Sequence, residues 1–114
     1  MLRVVMITIS AICIVFPLLA NATAGWSGRA EVTGIYTLNE STTLIKLSTF
    51  SNPNDCQINS GGDVRINPSV DKNWMNMFLA AYMSGKPVNV YVSAACTGVW
   101  AGTSYATVGH VRLL

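Results

Sequence analysis

The chain has 114 residues, of which 51% are hydrophobic and 11% are charged, and its formal net charge is +2. This length is enough for one domain, and the sequence contains neither an internal repeat nor a low-complexity segment. The basic residues are scattered singly, so the chain lacks the basic stripe that is typical of nucleic-acid-binding proteins.

The N-terminal segment, residues 1–24, has the pattern of a secretory signal peptide. A short basic start precedes an apolar run over residues 4–16, and small residues follow it. We favour cleavage after Ala24, with cleavage after Ala22 as the alternative. A membrane anchor is a second alternative, but the run is shorter than the roughly 20 residues that a spanning helix needs. The sequence therefore predicts a secreted or periplasmic protein whose mature domain covers residues 25–114.

Two of the three cysteines, Cys56 and Cys96, lie in the predicted mature domain. In an exported chain, a single cysteine pair most simply forms a disulfide. The alternative is a catalytic thiol, but the only histidine, His110, lies in a strand pattern, and no neighbouring residue favours a thiolate. We therefore predict a Cys56–Cys96 disulfide, which restricts the unfolded chain by about 4 kcal/mol in the loop-entropy model.

The sequence predicts five strands, three before a helix and two after it. Alternating apolar and polar residues, with turn residues between the segments, indicate these strands over residues 29–38, 42–49, 63–67, 88–93 and 107–114. In the first strand, Gly34 is typical of a bulge or bend, and Tyr36 shares a side with Val32. The order matches the five-stranded OB-fold barrel, whose helix lies between strands three and four. We therefore expect a mainly β domain with one helix (α+β), built as an OB-fold-like barrel.

The helix is predicted to begin near Val70 and to end at Gly85. Ser69 is a suitable N-cap residue, and Asp71 lies where the positive end of a helix favours an acid. Gly85 can adopt the left-handed conformation that closes a helix, and Pro87 prevents its continuation.

Apolar residues cover an arc of roughly 240° around this helix, whereas a surface helix buries a stripe of little more than 100°. The surplus indicates a second surface, and we expect the chain to self-associate through Met75, Leu79 and Met83. The alternative is that these methionines pack under loops of the same chain.

A candidate binding loop is predicted over residues 94–106, which carry no charge. Trp100 and Tyr105 provide flat apolar faces with a polar edge, which suit stacking on the CH face of a sugar ring. The alternative is that Trp100 folds back to cap the barrel and that Tyr105 opens the fifth strand.

Polar groups beside these rings complete the predicted site. Thr97, Thr103 and Ser104 offer hydroxyls to a sugar. In an OB-fold this loop neighbours the turn after the first strand, which here contains Asn39 and Ser41. We therefore predict a glycan site that includes both loops.

The charged residues do not indicate an enzyme. Acid–base catalysis needs convergent carboxylates or histidine, and hydrolytic metal sites need clustered ligands. The five acidic residues are dispersed along the chain: Glu31, Glu40, Asp55, Asp63 and Asp71. We therefore expect neither catalysis nor a bound cofactor or metal.

The segment over residues 80–92 reads Ala-Ala-Tyr-Met-Ser-Gly-Lys-Pro-Val-Asn-Val-Tyr-Val. It resembles the corresponding part of secreted bacterial toxin B subunits of the subtilase-cytotoxin type and of similar small exported proteobacterial proteins. The match covers about a sixth of the mature chain, and no sugar-binding residue of that family is carried over. The resemblance implies a non-catalytic OB-fold subunit that forms pentamers and binds glycans. The alternative function is a periplasmic inhibitor or protein-interaction protein.

Overall fold

The computed structural model describes residues 23–114, so the predicted signal peptide lies outside the described residues except for Thr23 and Ala24. Six strands and one helix follow in chain order: β1 (Gly25–Ala30), β2 (Val32–Asn39), β3 (Thr42–Leu47), β4 (Val64–Ile66), α1 (Lys72–Ser84), β5 (Val88–Gly98) and β6 (Ser104–Leu113). They confirm a mainly β domain with one helix. Within residues 23–114, no helix is both long enough and apolar enough to cross a membrane.

All strands form one sheet in the order β1-β5-β6-β4-β3-β2. Its pairs are antiparallel except for β4 and β6, which are parallel. The predicted five-stranded closed barrel is therefore wrong in strand number and closure. The reason lies at Glu31, where the predicted first strand divides into β1, which pairs with β5, and β2, which pairs with β3.

A bulge in β1 explains why the sequence pattern missed most of this strand. The pairing with β5 shifts between Trp26 and Arg29, and Gly28 has a φ of 86°. The hydroxyl of Ser27, which is buried, accepts a hydrogen bond from the backbone N–H of Val90 at 3.0 Å. The bulge interrupts the alternation of inward and outward residues, so only Arg29 and Ala30 fitted the predicted pattern.

The core lies on one face of the sheet and is covered by α1. Val88, Val90 and Val92 of β5 are fully buried, as their alternation predicted. Phe78 and Ala81 are the buried residues of α1, which packs against β2 and β6. The helix therefore contributes a narrow apolar stripe to the core.

The end of the helix is as predicted, whereas its start differs. Gly85 has a φ of 70° and donates its backbone N–H to the carbonyl of Ala81 at 2.9 Å. At the other end, Asp71 rather than Ser69 occupies the N-cap position, and it makes no side-chain cap bond. The N–H of Val70 donates to the carbonyl of Asn67 and closes a turn that places Ser69 before the helix. The predicted role of Ser69 as N-cap is therefore wrong.

The predicted disulfide is confirmed. Cys56 and Cys96 are bonded, and their Cα atoms are 5.7 Å apart. The amide of Asn54 also donates to the carbonyl of Ser93 in β5. Together these contacts attach the segment between β3 and β4 to the middle of β5.

The predicted 13-residue loop over residues 94–106 is shorter in the structure. Pairing between β5 and β6 is irregular between Val92 and Cys96 but resumes opposite Ala106, so the connection is reduced to residues 99–103. The small residues of this stretch carry no alternation that the sequence pattern could detect. Trp100 therefore lies in a short connection that is flanked on both sides by paired strands.

Candidate functional site

Strand β3 is buried on both of its faces. Ile45 and Leu47 belong to the core, while Leu44 points away from it and is still fully buried. The segment that follows the disulfide covers Leu44, since a Cβ placed on Gly62 would lie only 2.6 Å from the Cβ of Leu44. Only glycine fits this contact, which brings the segment between β3 and β4 onto the outer face of the sheet.

Three aromatic side chains, Tyr36, Trp100 and Tyr105, form a cluster on this outer face. The ring centroids of Trp100 lie 6.4 Å from Tyr36 and 6.0 Å from Tyr105, and both pairs meet edge to face. This geometry suits the charge distribution of aromatic rings and adds about 1 kcal/mol for each pair. We call these residues the aromatic cluster.

Within the cluster, Tyr105 forms the base. It is fully buried, and its hydroxyl donates to the Oδ1 atom of Asn59 at 2.6 Å. Tyr105 therefore supports Trp100 instead of offering a face to solvent. It is the second residue of β6, close to the strand start that the sequence-based alternative expected.

Trp100 and Tyr36 form the accessible part of the cluster. The exposed fraction is 39% for Trp100 and 53% for Tyr36. The indole is not wrapped by the protein, but it rests near Gly61, where a Cβ would lie 3.7 Å from the ring. The cluster thus has a fixed base and an open aromatic edge.

The turn over residues 99–103 holds Trp100 in place. The hydroxyl of Thr103 donates to the carbonyl of Trp100 at 2.9 Å and accepts the N–H of the same residue at 3.3 Å. Gly102, with a φ of 79°, allows the chain to reverse there. Thr103 uses its single hydroxyl donor within the turn, so towards a ligand it can only accept.

Two other predicted hydroxyls also make contacts within the protein. The hydroxyl of Ser104 accepts the N–H of Gln57 at 2.9 Å, and the backbone N–H of Ser104 donates to the Gln57 carbonyl at 3.0 Å. The hydroxyls of Thr97 and Thr107 lie 3.2 Å apart and form a hydrogen bond. Ser104 therefore fastens the segment after the disulfide to β6.

The predicted turn residues Asn39 and Ser41 lie at the far end of β2 from Glu31. The Oδ1 atom of Asn39 accepts both the N–H and the hydroxyl of Ser41, each at 2.9 Å. Asn39 is exposed and follows Tyr36 by three residues, which corresponds to about 10 Å along a strand. The structure therefore places this turn on the border of the aromatic cluster.

Tyr36 and Arg65 are two site residues that the sequence analysis missed. The pairing of β2 shifts between Val32 and Gly34, at the predicted bulge, and this shift turns Tyr36 to the outer face. Leu44 is aligned with Tyr36 on one side and with Arg65 on the other. Arg65 therefore lies two strand spacings, or about 10 Å, from Tyr36. No sequence pattern could reveal that Tyr36 and Arg65 share this face, because the bulge reverses the alternation of inward and outward residues in β2.

The guanidinium of Arg65 is the cationic group of this surface. One of its nitrogens donates to the Ser41 carbonyl at 3.3 Å, which fixes the side chain beside the β2–β3 turn. Its remaining N–H groups can donate to a ligand oxygen. The arrangement is thus suited to stacking and hydrogen bonding.

Asp63, the buried acidic residue next to this surface, has a structural role. Its carboxylate accepts the N–H of Leu47 at 2.8 Å and pairs with Lys46 at 3.1 Å. Across residues 23–114, no three histidine, cysteine or acidic side chains come together as a possible metal site.

Comparison with protein-family models, with curated proteins and with solved structures finds no match for this chain. The geometry of its own surface is therefore the basis for assigning a function.

Proposed function

We propose that this protein is a secreted or periplasmic, non-catalytic binding module that takes a glycan on the aromatic cluster. The observation that carries this proposal is the half-exposed Trp100, held by a turn and backed by the buried Tyr105. A sugar ring stacks its CH face on such an indole, while its hydroxyls meet polar groups nearby. Arg65 and the amide of Asn39 provide donors, and the Thr103 hydroxyl provides an acceptor.

We also propose that this open sheet has an OB-fold-like arrangement in which β1 and β2 correspond to one bent strand. These consecutive strands lie at opposite edges of the sheet. The chain after β3 reaches the free side of β1, where Ser48 and Ser51 donate their N–H groups to the carbonyls of Glu31 and Ser27 at 2.8 and 3.3 Å. OB-folds bind ligands on the face and loops that correspond here to the surroundings of the aromatic cluster.

The exported location is supported by the disulfide, which is compatible with an extracellular or periplasmic setting. Such a setting exposes a protein to polysaccharides and to surface glycans. The location and the proposed ligand class are therefore consistent with each other.

Trp100→Ala tests the glycan proposal. We expect the variant to lose glycan binding on an array of neutral glycans, while the free energy of unfolding falls by only about 2 kcal/mol, because two ring contacts are lost but the indole is open on one side. Val70→Ala is the control, since Val70 is also an exposed apolar residue, at 75%, but precedes α1. Retained binding in Trp100→Ala would refute the proposal. A loss of roughly 3 to 5 kcal/mol would instead identify Trp100 as a core residue.

A second candidate function, protein association through α1, is favoured by the outer side of this helix. Leu79, Tyr82 and Met83 have exposed fractions of 40%, 51% and 84%. Met75, in contrast, is partly buried against the core. We therefore propose an association surface of Leu79, Met83 and Tyr82, in which Tyr82 replaces the predicted Met75. Its partner is a second copy of the chain or, for an inhibitor, another protein.

Light scattering tests self-association. We expect an oligomer for the mature domain and a shift to monomer in Leu79→Asp, because a buried, unpaired carboxylate opposes an apolar interface. Asn76→Asp, at an exposed position of the same helix, provides the control for the added charge. A wild-type monomer at every working concentration would contradict self-association.

A further inference from the structure

A second aromatic surface lies on the outer face of β1, β5 and β6. Trp26, Tyr91 and His110 are aligned across these three strands. The ring centroid of Tyr91 lies 5.3 Å from that of Trp26 and 5.2 Å from that of His110. Trp26 and His110 are exposed, and Tyr91 is partly buried between them. We call these residues the aromatic row.

The aromatic row is held by the backbone beneath it. Val90 and Val92 point into the core, so Tyr91 must point outwards. A Cβ placed on Gly109 would lie 3.1 Å from the Tyr91 ring, so this glycine lets the ring lie close to β6. The hydroxyl of Ser51 donates to the carbonyl of Trp26 at 3.0 Å and fixes the strand that carries the indole.

Beside the aromatic row runs a row of polar side chains. Arg29, Asn89 and Arg112 are aligned across the same three strands, and Asn89 precedes Tyr91 by two residues, or about 7 Å. Both arginines are exposed, and neither forms an ion pair with another described residue. Glu31 lines a small cavity with Arg29 but lies beyond the end of β1.

One acceptor in this polar row has no donor. The Oδ1 atom of Asn89 is buried and makes no hydrogen bond within the described residues. Buried polar atoms in proteins are normally paired, so an unpaired one calls for an explanation. The exposed arginine side chains on either side can move, and a ligand hydroxyl entering between them would supply the missing donor.

We propose that the aromatic row and its two arginines form a separate binding site for a saccharide that contains hexuronic acid. Such a ring combines a CH face, which stacks on Trp26 or Tyr91, with a carboxylate, which pairs with a guanidinium of Arg29 or Arg112. The two rows are about 7 Å apart. A guanidinium of the polar row can therefore reach the carboxylate of a sugar ring that stacks on the aromatic row. This site is independent of the aromatic cluster, which lies on β2 and β6.

A hexuronate explains the charges better than a nucleic acid does. Single-stranded nucleic acids also stack on aromatic side chains, but they are held by a basic groove that follows several phosphates. Here the cations of the surface are Arg29 and Arg112, and the formal net charge of the chain is only +2. Two arginines are enough to pair with the carboxylates of a saccharide whose rings are otherwise neutral.

Calorimetric titration with trigalacturonate and with the neutral α-1,4-galactotriose tests this site, because the two probes differ in their carboxylates alone. We expect the mature domain to bind trigalacturonate at least tenfold more tightly than galactotriose. Trp26→Ala and Arg112→Gln should each weaken trigalacturonate binding at least tenfold. Lys72→Gln, which removes an exposed charge on α1, should leave it unchanged.

Several outcomes would overturn the proposal: no trigalacturonate binding, equal affinity for galactotriose, or an equal loss in Lys72→Gln. Tighter binding of a ten-residue oligothymidylate would identify a nucleic-acid surface instead. If Trp26→Ala fails to fold, Arg29→Gln decides the result, since it changes only an exposed side chain. Failure of this site leaves the glycan proposal for Trp100 intact, because that proposal is measured on neutral glycans.

Discussion

The buried carboxylate of Asp63 attaches β3 to the residue that immediately precedes β4. The carboxylate accepts the backbone N–H of Leu47 in β3 and pairs with Lys46. The backbone N–H of Asp63 also donates to the carbonyl of Ile45 at 2.9 Å. The sequence analysis treated Asp63 as one of five dispersed acids, because a single carboxylate before a short strand carries no pattern. Its role depends on a partner at the end of another strand.

Asp63→Ala should lower the free energy of unfolding by about 2 kcal/mol, because the N–H of Leu47 then loses its acceptor in a buried position. Urea denaturation measures this loss. Glu40→Ala, at an exposed turn position, is the control and should change stability by less than about 0.5 kcal/mol. Similar losses in the two variants would mean that the Asp63 contacts contribute nothing specific.

The aromatic residues show how far single positions can be predicted. Trp100 and Tyr105 were predicted as site residues from residue type alone, and the structure brings them together. Their different exposure was not predictable, because the partner of the Tyr105 hydroxyl, Asn59, lies 46 residues away in a segment without periodicity. Tyr36 was assigned to the wrong face because a bulge precedes it.

Among the elements, α1 has the boundary that the sequence predicted best. A helix that closes with a left-handed residue requires glycine or asparagine, so Gly85 followed by Pro87 indicated the end of α1 without tertiary information. The start was less clear, since both Ser69 and Asp71 are good capping residues and a turn that the sequence did not reveal decides between them.

Gly85→Ala should destabilise the protein by about 1 kcal/mol, because alanine is strained at a φ of 70°. Thermal unfolding followed by circular dichroism measures the change. Gly98→Ala is the matched control, since a Cβ there would meet the Thr103 carbonyl at an ordinary 3.7 Å. Equal effects at both positions would show that the conformation of Gly85 is not the cause.

The strands divide into those with and those without a clean alternation. The valines of β5 alternate and were predicted, whereas β3 was predicted from its threonines and aliphatic residues, which suit a pleated surface. Strand β1 and the second half of β5 were missed, because each contains a pairing shift that breaks the two-residue period. An element order is therefore readable from this sequence, whereas the number of strands is not.

At the scale of the whole molecule, the disulfide connects the fold to the aromatic cluster. Cys56 is followed at once by Gln57, which is bonded to Ser104, and then by Asn59, which is bonded to Tyr105. The pairing itself was predictable, because an exported chain with two cysteines allows one connection. Its position beneath the candidate site was not, since it depends on the path of the segment between β3 and β4.

Replacing both cysteines with serine should lower the free energy of unfolding by up to about 4 kcal/mol, because the unfolded chain regains the freedom of a 40-residue loop. Chemical denaturation measures this loss. The environment of Trp100 should change as well. Fluorescence can measure this change in a Trp26→Phe, Trp74→Phe background, where Trp100 is the only tryptophan. Unchanged stability would contradict the structural role of the disulfide.

The strand order also determines when the chain can fold. β1 pairs in the ladder only with β5, and β4 obtains its second neighbour only from β6, so β1 and the free edge of β4 can pair only after β5 and β6 are available. A fragment that ends before Val88 would contain a hairpin and a helix but no sheet able to hold β1. Pairing of such distant segments carries a large loop-closure cost before any contact is gained, and refolding on the order of milliseconds to seconds is expected.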